Sequence, residues 1–155
     1  MTRITGISLL AAVLFVTDHA ASAQSNCKDA KGTLIELFTS GDTTTGAITN
    51  GGWLNGTTVS VFNTATFPTA LPTQVTFGST FALTTGSGEL KGTRTYLFDF
   101  VALKAVTMTM IDPTTSSGAF AGATGVLYTT SSKISPGPPP TTFHEEVEGQ
   151  VCFPK

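Results

Sequence analysis

Gly118-Ala119-Phe120-Ala121-Gly122-Ala123-Thr124-Gly125-Val126-Leu127-Tyr128 is the stretch on which the reading of this chain turns. Gly118, Gly122 and Gly125 stand among small and apolar residues. Each would cost a helix interior about 1 kcal/mol relative to alanine, so a helix is disfavoured. A strand that bends sharply, or that lets another backbone come close, accepts such glycines. The stretch therefore predicts a kinked strand in a curved sheet.

The flanking segments supply the rest of the sheet. Residues 33–39 place Leu34, Glu36 and Phe38 on one face and Ile35 and Leu37 on the other. A short strand at 47–49 precedes the turn signal Asn50-Gly51-Gly52. In 57–63, Val59 and Val61 oppose Thr58, Ser60 and Phe62. Pro68 and Pro72 make 67–72 a loop, because proline cannot donate to a central ladder. Residues 74–84 set Val75, Phe77, Phe81 and Leu83 on one side, with Ser79 among them, and Gly86-Ser87-Gly88 turns the chain.

The longest strand expected is 89–103. Arg94, Tyr96, Phe98 and Phe100 share one face; Thr95, Leu97, Asp99, Val101 and Leu103 share the other. Both faces are largely apolar, so both should be covered. Residues 104–111 alternate Val106, Met108 and Met110 against Thr107, Thr109 and Ile111. A turn from Asp112-Pro113 leads to the glycine stretch, and a proline-rich loop at 131–140 leads to a last strand at 142–153. There Phe143, Val147, Val151 and Phe153 form an apolar face; His144, Glu146, Glu148 and Gln150 read as solvent-facing. About eight strands joined by short turns, with no helical period, indicate an antiparallel sandwich or barrel.

The first 23 residues are a separate object. Arg3 precedes an apolar run from Ile4 to Val16, and Ala21-Ser22-Ala23 fits a small-x-small cleavage site, the pattern of a secretory signal peptide. The run is shorter than the ~18–20 residues a membrane span needs. The expected arrangement is a leader at 1–23 and one β-barrel domain at 24–155, secreted or periplasmic, with no membrane attachment after cleavage. The net charge of -2, with 12% charged residues, gives no reason to expect nucleic acid as a partner. Cys27 and Cys152 lie near the two ends of the mature chain, and a disulfide between them is the simplest reading in an oxidising compartment. That bridge and the bent glycine strand favour an all-β, antiparallel, closed or nearly closed barrel.

The run Gly118-Ala119-Phe120-Ala121-Gly122-Ala123-Thr124-Gly125 resembles the G-x-F-x-G-A-x-G strand of the allene oxide cyclase and dirigent-like β-barrels. The hairpin at Gly88-Glu89-Leu90-Lys91-Gly92 and the ending Gly149-Gln150-Val151-Cys152 are compatible with it, so the resemblance spans residues 73–153. It implies a calycin-type barrel that binds a small, largely apolar molecule and steers its cyclisation or coupling by confinement. It also implies a dimer or trimer, for which the outer face of the longest strand would serve; the alternative cover is the N-terminal segment of the same chain.

Little else in the chain suggests chemistry. The single histidine beyond the leader, His144, sits beside Glu145 and Glu146 on what reads as a polar edge, and no nucleophile elbow accompanies it. Glu145, Glu146 and Glu148 lack a calcium-loop pattern, so no metal is expected, and no phosphate or dinucleotide fingerprint points to a cofactor. What remains is the face carrying Arg94, Tyr96, Phe98 and Phe100, with Glu36 from the first strand. If it lines the barrel, Arg94 and Tyr96 hold a carboxylate or carbonyl of an apolar ligand, and Glu36 is an acid in the same cavity. If Arg94 lies at a strand mouth, it is merely solvated. The competing function is a non-enzymatic structural or interaction domain whose barrel is filled by side chains such as Phe77, Phe81, Phe98, Phe100 and Met108; a sandwich-type adhesin module is a third reading. Cavity volume separates the first two.

Overall fold

The structure is a computed structural model that describes residues 26–68, 71–135 and 141–155. The expected leader at 1–23 lies outside the described residues. Nine strands follow one another: β1 (Asn26–Ser40), β2 (Thr43–Thr49), β3 (Gly56–Pro68), β4 (Gln74–Thr85), β5 (Gly88–Asp99), β6 (Lys104–Ile111), β7 (Ser117–Gly118), β8 (Thr124–Ile134) and β9 (Thr141–Phe153). Threonine and the β-branched aliphatics carry most of them, residues whose restricted χ1 suits a pleated surface.

Each long strand pairs antiparallel with the next one along the chain, β4 pairs with β5, and β9 returns to β1. Eight strands thus close an up-and-down barrel, and the two-residue β7 sits at its rim against the start of β5. The seam between β1 and β9 is the most extensively paired, running from Asn26 opposite Phe153 to Phe38 opposite Thr141. Cys27 and Cys152 are direct register partners there and form the expected disulfide.

The interior divides into three levels. The end where β1 begins and β9 finishes is filled by an apolar core that includes Leu34, Ile48, Phe81, Leu83, Leu127 and Val151. Trp53, from a one-turn helix at Gly52–Leu54, packs with Phe120 and Phe153 across that end. Above the core lies a polar belt in which Glu36, Ser60, Ser79, Arg94, Thr109, Thr129 and Glu145 are all buried. The third level, towards the β1–β2 and β5–β6 turns, is an open cup walled by aromatic rings.

Several expectations need correction. The glycine stretch is not one kinked strand: Gly118 ends β7, a turn follows at 119–122, and 124–128 open β8. After β7 the chain makes consecutive turns through residue 122 and enters β8 at Thr124. Gly118 and Gly122 adopt φ of +64° and +72°, where a side chain is strained, and a Cβ on Gly118 would lie 2.8 Å from the Cα of Gly88. The turn tucks Phe120 under the apolar core. Strand β5 stops at Asp99, whose carboxylate accepts the amides of Val101 and Ala102 at 2.9 and 2.8 Å and so organises the turn to β6.

The outer face of β5 is not covered within the described residues: Leu97 is exposed, and Val101, in the turn, is 76% exposed. Met108 points outward and fills no part of the barrel, while the threonines of β6 point in. On β9 the expected solvent-facing side is present at Glu146, Glu148 and Gln150, but it is a face and not an edge, and Glu145 is not on it. The strand is paired on both sides, and Glu145 shares the inward face with Val147 and Val151.

Candidate functional site

The cup has a volume of about 410 Å³. Its wall draws rings from four strands, β1, β3, β4 and β9, from Tyr96 and Phe98 of β5, and from Phe100 in the turn after β5. Phe77 and Tyr96 are stacked, with centroids 4.7 Å apart and planes 11° from parallel. Phe62 meets both edge-on, at 5.1 and 5.4 Å. Phe98 and Phe100 make a further edge-to-face pair at 4.8 Å at the rim, where Phe100 is 59% exposed. Offset and edge-on contacts of this kind favour a rigid wall.

The floor is polar. Glu36 from β1, Thr44 from β2, Tyr96 from β5 and Glu145 from β9 all line the cavity. Arg94 does not line it: it lies one layer deeper, between the cup and the apolar core. Its guanidinium carbon stands 4.1 Å above the Phe81 ring. Nη1 donates to Glu36 Oε1 at 2.9 Å and lies 3.2 Å from both Ser60 Oγ and Tyr96 Oη; Nε donates to Thr109 Oγ1 at 3.0 Å. Both members of the ion pair are almost fully buried, at 1% and 2% side-chain exposure. Burial acts to strip the proton from Arg94, but Glu36 and Tyr96 outweigh it and hold the group more firmly charged than an ordinary arginine. Arg94 is thus the strut that fixes Glu36 and the Tyr96 hydroxyl.

Glu145 is in a different position. Its Oε1 accepts from Ser131 Oγ at 3.4 Å, while Oε2 is buried and has no hydrogen-bond partner among the described residues; the Thr44 hydroxyl is in the same condition. Burial, then the nearby Glu36 charge, push the Glu145 carboxyl above its ordinary range, with Arg94 pulling weakly the other way. The belt therefore contains one cation and two carboxyl groups, and only one carboxylate has the cation as its partner.

Of the residues picked out from sequence, Glu36, Tyr96, Phe98 and Phe100 come together on the cavity wall, and Arg94 supports them from behind. Gly118, Phe120, Gly122 and Gly125 belong to the closed end, far from the cup. Glu145 was missed as an interior group, although its parity with Val147 and Val151 was a usable signal. His144 lies on the outer face of β9. Among the described residues, no three His, Cys, Asp or Glu side chains gather as a metal site requires. Comparison with protein-family models, curated proteins and solved structures finds no match to this chain.

Proposed function

We propose that the barrel binds one small, largely apolar molecule in the cup, with the polar end of that molecule resting on Glu145, Thr44 and Tyr96. One observation carries this reading: an aromatic cavity of about 410 Å³ ends on a floor where two buried polar groups have no hydrogen-bond partner among the described residues. Sites for small organic ligands begin at about 300 Å³ and combine apolar walls with a few polar anchors. The competing structural reading needs a barrel filled throughout, and only the closed half is filled.

Any chemistry in such a site would be by confinement. The rigid wall holds a flexible ligand in one folded shape, in the manner the allene oxide cyclase and dirigent-like resemblance implies, and the floor offers an acid but no activated nucleophile. The Cys27–Cys152 bridge supports export to an oxidising compartment.

The test uses N-phenyl-naphthylamine, a neutral apolar probe whose fluorescence rises out of water. The wild-type protein should give saturable enhancement. Ala105→Trp places an indole into the cup from a buried wall position and should abolish the enhancement while leaving the unfolding midpoint close to wild type. Enhancement that does not saturate, or that survives in Ala105→Trp, overturns the reading.

A further inference from the structure

The wall of the cup carries an unusual balance of charge. Glu36, Glu145 and, at the mouth, Asp42 line the cavity, and no lysine or arginine side chain does so among the described residues. Arg94 is the only buried cation among them, and its Nη1 and Nε are engaged by Glu36, Ser60, Tyr96 and Thr109. It does not itself line the cavity. An entering molecule therefore meets carboxyl groups below and aromatic faces around, the surroundings that recognise organic cations. An acidic cluster alone would not define a site. Here Glu145 is a buried residue that lines the cavity, and its Oε2 has no hydrogen-bond partner among the described residues.

Three ligand classes can be compared on that floor. A carboxylate would pass Asp42 at the mouth and meet two carboxyl groups below, with no lysine or arginine among the described residues lining its path. A neutral alcohol or carbonyl would exchange one hydrogen bond with Glu145 and leave the excess carboxyl group as it was. An ammonium would supply the missing partner, and its carbon frame would pack on the rings. We infer that the ligand of this cup is an apolar amine, bound as its ammonium with the charge on Glu145 and the hydrocarbon part against the aromatic wall. This inference rests on the reading of the cup as a binding site and narrows it to one class.

Proton balance follows from the same geometry. The groups acting on Glu145 are Glu36 from β1, Arg94 from β5, and the hydroxyls of Thr129 and Ser131 from β8. In the empty cup burial, then the Glu36 charge, favour the protonated form of the Glu145 carboxyl. When the ammonium arrives, Glu145 gives that proton to solvent and the carboxylate pairs with the ligand. A neutral ligand causes no such release.

The experiment titrates the full protein with naphthylethylamine, naphthylethanol and naphthylacetate, by calorimetry in two buffers of different ionisation enthalpy. The amine should bind at least about tenfold more tightly than the alcohol, with the carboxylate weakest, and amine binding alone should release a proton. Glu145→Gln keeps the shape and removes the charge. It should bring the amine to within about twofold of the alcohol and end the proton release. Should that variant fail to fold, the ranking and proton release of the wild-type protein still decide the matter. An alcohol that equals the amine, or a carboxylate that binds best, overturns the amine assignment and leaves the cup standing as a binding site. If none of the three binds, both readings fall.

Discussion

Arg94 and Glu36 occupy a place in the barrel where neither charge is tolerable alone. Removing one partner leaves the other uncompensated, which costs about 3–5 kcal/mol, whereas replacing both by apolar residues is often close to neutral. Arg94→Leu should therefore lower the urea midpoint sharply, and Arg94→Leu combined with Glu36→Leu should recover most of the loss. If the double variant is no better than the single one, the pair is not the unit described here. Glu145 has a pH signature of opposite sense to most acids. Its carboxyl is raised in the folded state, so its contribution is fully present below the ordinary glutamate value of 4.5 and is lost as pH rises through the higher folded value. Glu145→Gln should match the wild type in strong acid and become progressively more stable than it towards alkaline pH, read from thermal midpoints. Glu89, held down by Lys91, Asp99, by the Ala102 amide, and Asp112, by Thr114, act the other way. Their stabilisation exists above the ordinary range and is lost as pH falls.

Among the elements, β6 was legible residue for residue: the alternation at 104–111 is the strand observed. What the alternation did not reveal is which side faces in. On β3 the valines point out and Thr58 and Ser60 point in; on β6 Val106, Met108 and Met110 point out and Thr107 and Thr109 in. A face of threonine and serine ordinarily marks solvent. Here it builds the belt that receives Arg94, so hydropathy pointed the wrong way wherever the interior is polar. The glycine stretch was misjudged for a related reason. Its glycines are needed for left-handed backbone and close approach, which a turn requires as much as a bent strand does. That turn has a definite task, which is to seat Phe120. Phe120→Ala should cost about 3–5 kcal/mol as a buried aromatic truncation. It should leave affinity for the fluorescent probe unchanged, because the closed end and the cup are separated by the belt. A loss of probe binding in parallel with stability would show the two ends to be coupled.

For the molecule as a whole, closure was the most legible property. Two cysteines near the ends of the chain implied that the first and last strands are neighbours, and they are register partners. The bridge spans 125 positions, a loop for which chain-entropy arguments give about 4–5 kcal/mol. Replacing both cysteines by serine should reduce unfolding free energy by about that amount, with reducing agent producing the same shift in the wild type and none in the variant. The cup was legible only in part. The face of Tyr96, Phe98 and Phe100 stood out because three aromatics share a parity, whereas Glu145 reads as one of a run of acids until the register turns it inward.

The seam that holds the bridge also determines how the barrel meets its surroundings. Asn26 and Phe153 face each other at the blocked pole, so β1 begins and β9 finishes on the side opposite the mouth. A partner domain, affinity handle or surface linkage joined beside Asn26 or Phe153 would hang from the base, and the opening would be presented outward to whatever diffuses past.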